Sequence, residues 1–108
     1  MAVGQWIHVA DAPDIPPGQG LRVELDDVPV AIWNVDGDFF ATADTCTHEE
    51  ASLSQGDLWG EVVECYLHGA QFDVRTGAVL SLPAVLPLAT YPVKVEGEKI
   101  YVEWRSEP

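Results

Sequence analysis

Only two of the 108 residues are cysteines and three are histidines, so a disulfide-rich scaffold is excluded and any thiolate or imidazole chemistry must fall on very few positions. Basic residues are scarce as well: five Lys and Arg stand against 18 Asp and Glu, a formal net charge of −13. That imbalance opposes approach to phosphate backbones and to anionic lipid, which excludes nucleic acid and membrane as partners and suits a protein partner with a basic patch. Long apolar runs are missing too. The longest, Val28 to Trp33 and Pro83 to Ala89, contain prolines and fall far short of the roughly 20 residues that cross a bilayer. Met1 to Asp14 lacks a basic n-region and an apolar h-region, and no twin arginine occurs, so a cytoplasmic location is expected.

Sustained helical periodicity is also absent. What is present is a series of short segments rich in β-branched and aromatic residues: Trp6 to Val9, Leu21 to Leu25, Val30 to Val35, Phe39 to Thr42, Val62 to Cys65, Val93 to Val95 and Ile100 to Trp104. Asp36-Gly37 is the residue pair of a two-residue hairpin, and Glu96-Gly97-Glu98 marks a second tight reversal. The pattern predicts one all-β domain over residues 1–108, an antiparallel sandwich or small barrel, with loops from Asp44 to Gly60 and from Leu80 to Pro92.

Each cysteine travels with a histidine: Cys46-Thr47-His48 in the first loop and Cys65-Tyr66-Leu67-His68 at the end of a strand. In a reducing compartment such cysteines bind metal or act in catalysis more readily than they form a disulfide. A nucleophile and base pair, Cys46 with His48 oriented by Asp44, would leave Cys65 and His68 unexplained. Four converging ligands, two sulfur and two nitrogen, fit either a tetrahedral zinc site or a dinuclear iron–sulfur centre. Zinc fingers tend to pair Cys with Cys and His with His, whereas here each loop offers one of each, which suits a cluster gripped from two sides.

The remaining candidates weaken under the same scrutiny. His8 reads as an ordinary strand residue, and Trp6, Trp33, Trp59 and Trp104 as packing residues rather than an electron relay. Gly18-Gln19-Gly20 begins like a dinucleotide fingerprint, but Val23 stands where the third glycine belongs and the segment precedes a strand.

Cys-x-His, 16 residues, then Cys-x-x-His is the motif of Rieske iron–sulfur proteins, and the segments Cys46 to Leu53 and Cys65 to Asp73 resemble the ferredoxin components of bacterial aromatic-ring-hydroxylating dioxygenases. The resemblance implies a Rieske-type fold with a cluster-binding portion at about 44–83 forming one tip, and one [2Fe-2S] cluster held by Cys46, His48, Cys65 and His68. Both cysteines would bind one iron and both histidines the other. It further implies a monomeric electron carrier, not an enzyme, fed by a flavin-dependent ferredoxin reductase and serving a terminal oxygenase of aromatic hydrocarbon catabolism. Tyr66 departs from the Pro or Ser found in many relatives, and Pro83 falls where the family has a loop shielding the cluster. Ala51, Leu67, Ala70 and Phe72 occupy positions where cytochrome-complex relatives carry a disulfide and hydroxyl donors, which predicts a low reduction potential for the class. Two alternatives remain open at this level: the small subunit of an NADH-dependent nitrite reductase, and a zinc-stabilised interaction module.

Overall fold

A computed structural model describes residues 4–47, 51–67, 69–82 and 86–105. Among these residues lie eleven strands, β1 (Gln5–Asp11), β2 (Gly20–Leu25), β3 (Val28–Val35), β4 (Asp38–Ala43), β5 (Asp57–Trp59), β6 (Val62–Glu64), β7 (Gln71–Asp73), β8 (Val79–Ser81), β9 (Thr90–Tyr91), β10 (Val93–Glu96) and β11 (Lys99–Trp104). They form three antiparallel sheets with strand orders β1-β11-β10, β2-β3-β4-β9 and β5-β6-β7-β8. The all-β expectation holds, and no helix among the described residues is long and apolar enough to cross a membrane.

Chain reversals are set by residues that tolerate positive φ. Asp36 and Gly37 take φ of 51° and 95° between β3 and β4, the mirror-image turn whose twist matches that of paired strands. Asp26 and Asp27, at φ 51° and 64°, join β2 to β3 in the same way. Asn34 locks the first of these turns: its Oδ1 accepts the Gly37 N–H, while its Nδ2 donates to the Ile15 carbonyl.

β3 is the strand on which the core is organised. Alternate side chains point to opposite faces of a strand. Val30 and Ile32 enter one core with Ile15, Ala41, Ile100 and Val102, whereas Ala31 and Trp33 enter a second with Leu53, Val63, Phe72 and Val74. This explains the apolar stretch from Val30 to Trp33: both faces of the strand are covered there, and Asn34, the buried polar residue that follows, has both ends of its side chain hydrogen-bonded. Trp33, 1% exposed, donates from Nε1 to the Thr42 hydroxyl across β3 and β4.

The two stretches expected to be loops contain short strands. β5 lies inside the first, while β9 and the end of β8 lie inside the second. Strands of two or three residues offer too little alternation for the period to register; β5 pairs with β6 across the Gly60-Glu61 turn, whereas β9 pairs with β4, far back in the chain.

Candidate metal centre

The two cysteine loops are built alike. The Cys46 N–H donates to the Ala51 carbonyl at 2.9 Å, and the Cys65 N–H donates to the Ala70 carbonyl at 2.8 Å. Each loop thus closes five residues beyond its cysteine, with the histidine inside the closed segment. Ala51 and Ala70 are buried, which lets the returning backbone lie against the cysteine without a larger side chain intervening. In the second loop Gly69, at φ 76°, donates to the Cys65 carbonyl and tightens the turn.

Both cysteines are 3% exposed, belong to the same core as Trp33, Leu53, Val63 and Phe72, and form no disulfide. A buried pair of thiols inside one packed core, carried by two similar loops, is the donor chemistry a thiolate-held centre requires. Of the four expected ligands, Cys46 and Cys65 are thus brought into one core, while His48 and His68 lie outside the described residues, as do Glu49, Glu50 and Pro83. His8 stands on β1 in another sheet, 2.8 Å from Asp11 and stacked obliquely on Tyr101.

The first loop has a base that sequence reasoning mentioned only as a possible orienter. Asp44 is 1% exposed; its Oδ1 accepts the Ser54 N–H at 2.9 Å and its Oδ2 accepts the Ser52 hydroxyl. Its backbone carbonyl also accepts the Leu53 N–H at 2.6 Å, and a bridge joins Thr45 to Ser52. The signal in the sequence was an Asp followed by serines eight and ten positions later, a spacing with no periodicity to mark it.

A third segment is stitched to this pair of loops. The Thr47 hydroxyl donates to the Leu86 carbonyl at 2.7 Å, the Leu88 N–H donates to Gly77, and the Ala43 N–H donates to Ala89. Beneath the second loop, Arg75 bonds Asp73 through its guanidinium and backbone N–H, holding the Asp73 carboxyl below the usual carboxylate range despite partial desolvation. Glu61, 3.6 Å from the same guanidinium, joins Asp73 in raising the Arg75 pKa. Around the loops Tyr66, Leu67, Leu80, Leu82 and Leu86 are exposed, five of the nine large hydrophobic side chains that face solvent among the described residues.

Three antiparallel sheets and two matched loops, each bringing a buried cysteine into one core, define a small all-β domain with two buried thiols gathered in one place. Residues 5–92 match the Rieske [2Fe-2S] domain, and the chain belongs to that family and holds one [2Fe-2S] cluster. It is 53% identical over 92 residues to the biphenyl dioxygenase ferredoxin subunit of Pseudomonas sp. (strain KKS102), covering 84% of each chain. It is 43% identical, with a TM-score of 0.86 over 91% of this chain and 92% of the other, to a chain in the complex of reduced oxygenase and oxidized ferredoxin of carbazole 1,9a-dioxygenase. A putative NADH-dependent nitrite reductase small subunit from Mycobacterium tuberculosis has the same fold, at 25% identity and a TM-score of 0.83 over 97% of this chain and 99% of that one.

Proposed function

We propose that this chain is a one-electron carrier that passes electrons from a flavin-dependent ferredoxin reductase to the terminal oxygenase of an aromatic-ring-hydroxylating dioxygenase. The observation that carries this reading is the 53% identity to a biphenyl dioxygenase ferredoxin subunit across 84% of both chains. The weaker likeness to a nitrite reductase small subunit makes that role the second choice.

Cys46 and Cys65 would bind one iron, and His48 and His68 the other, with the chain acting as a single domain whose cluster-binding portion spans about 44–83. This ligand set is supported by the two buried cysteines sharing one core and by the one histidine that each loop carries in its sequence. The cluster supplies a reversible one-electron centre. The chain's contribution is to bury the thiolates away from water and to hold both loops through Ala51, Ala70 and the Thr47–Leu86 bond. Exposed Leu67, Leu82 and Leu86 beside the loops give a partner an apolar seat, while the net charge of −13 draws in a basic partner face.

Substrate oxidation belongs to the partner. A mononuclear iron site needs two histidines and a carboxylate, and beyond His48 and His68 the chain has only His8. A cytoplasmic monomer is the form expected to shuttle between two partners.

The test is electron paramagnetic resonance of the dithionite-reduced protein, with iron, zinc and acid-labile sulfide assayed on the same sample, followed by electron delivery to a biphenyl-type oxygenase. The expected result is a rhombic Rieske signal and oxygenase turnover that depends on this chain. A zinc-loaded, colourless sample would remove the electron-transfer reading, and reduction of a nitrite reductase partner instead would move it to the second role.

A further inference from the structure

The first cysteine loop stands beside two charged side chains that are not among its ligands. Asp44 lies two residues before Cys46 and is 1% exposed, while Arg22, on β2, is about half exposed and holds its Nε 3.9 Å from Asp44 Oδ2. Arg22 also reaches Glu24 at 3.4 Å, so its charge is shared between a buried and an exposed carboxylate.

Burying a carboxylate is costly unless donors compensate it. Here the compensation is specific: the Ser54 N–H on one oxygen, the Ser52 hydroxyl on the other and the guanidinium close by. The Ser52 hydroxyl is itself 2.9 Å from the Ser54 hydroxyl. An amide side chain could close the same loop without the charge, so the loop geometry alone does not call for a carboxylate. The charge has a second consequence. Only Thr45 lies between Asp44 and Cys46, so their Cα atoms are at most about 7 Å apart, and the carboxylate would lie on the order of 10 Å from a centre held by that sulfur.

We propose that Asp44 and Arg22 are positioning residues that set the reduction potential with opposite signs: Asp44 closes the Cys46 loop and disfavours electron uptake, and Arg22 partly offsets it. The proposal rests on the reading of Cys46 as a cluster ligand. A unit charge at about 10 Å and an effective dielectric of about 20 changes an equilibrium on the order of tenfold, which is about 59 mV for one electron. The effect of Arg22 is smaller because solvent and salt screen an exposed guanidinium.

The experiment is spectroelectrochemical titration of the cluster-loaded parent, Asp44→Asn and Arg22→Gln proteins at low and high salt, with paramagnetic resonance of each. Asp44→Asn is expected to shift the oxidised-to-reduced ratio about tenfold toward reduction. Arg22→Gln is expected to shift it a smaller factor toward oxidation, with the difference shrinking as salt rises, and the signal shape is retained in both. Loosening of the loop would instead broaden the signal and move both variants in the same direction, which overturns the proposal. If Asp44→Asn fails to hold its cluster, Arg22→Gln decides alone, and an unchanged potential at low salt overturns it. A parent without a Rieske signal overturns the ligand reading itself, a failure distinguishable because no partner protein enters the measurement.

Discussion

The Thr47 hydroxyl donates to the Leu86 carbonyl across 39 positions of sequence, at 2.7 Å. It joins the residue between Cys46 and His48 to the segment that follows Pro83, so the first cysteine loop is braced by a part of the chain that contributes no ligand. Thr47→Val, which keeps the shape and removes the donor, is expected to cost about 0.5–1.5 kcal/mol. The clearer effect should be faster bleaching of the cluster by a chelator, followed by visible absorbance. Unchanged bleaching would show that the brace does not protect the centre.

Removal of a thiolate should be more severe. Cys65→Ser or Cys46→Ala is expected to yield colourless protein with a lower melting temperature, because metal binding adds to the stability of the folded state. His68→Cys should retain colour but lower the potential, since a thiolate brings a negative charge that a neutral imidazole does not. Iron content and a redox titration check both.

The midpoint potential of the parent protein should lie near about −150 mV, the low end for mixed His and Cys ligation. Buried Ala51, Ala70 and Phe72 carry no hydroxyl to stabilise added negative charge, and the two cysteines form no disulfide near it. A titration giving a positive midpoint contradicts this.

Trp33 links the core of the cysteine loops to the rest of β3. Trp33→Phe removes the bond to the Thr42 hydroxyl and part of a fully buried ring, and is expected to destabilise by about 1–3 kcal/mol. Trp33→Ala should cost about 3–5 kcal/mol. Urea unfolding monitored by fluorescence and by visible absorbance on the same sample measures both.

Asp73 supplies a pH dependence with a defined sign. Arg75 lowers its folded-state pKa below the unfolded value, so Asp73 contributes stability above about pH 4, where the carboxylate is charged in both states. That contribution is lost as pH falls through the lowered folded-state value. Asp73→Asn should therefore be less stable than the parent at pH 7, with the difference closing at strongly acidic pH. Equal melting temperatures of the two proteins at pH 7 would count against the Asp73–Arg75 bond as a stabilising contact.

How much of this was legible in the sequence depends on the length scale of each signal. β3 and β11 announced themselves through apolar and β-branched residues, and Asp36-Gly37 through a turn chemistry that few other residues satisfy. The Asp26-Asp27 turn was missed because two aspartates carry no comparable prior, although both adopt positive φ. β5 and β9 were missed because strands of two or three residues show too little pattern of their own, and β9 is further defined by a distant partner, β4. That Cys46 and Cys65 come together in one core was expected from their spacing with histidine, a pattern that restricts residue identity more tightly than packing does. The support beneath them was not: the bonds of Asp44 to Ser52 and Ser54, and of Thr47 to Leu86, join polar residues that occur commonly in any loop.

β3 is a party wall between two interiors, with Val30 and Ile32 on one side and Ala31 and Trp33 on the other. Neither interior can melt while leaving the other intact, because the backbone they share has no solvent-facing side to fall back on. Loading the metal centre on one side should therefore slow amide hydrogen exchange at Ile100 and Val102 on the other, making a remote sheet a reporter of whether the protein is charged with its cofactor.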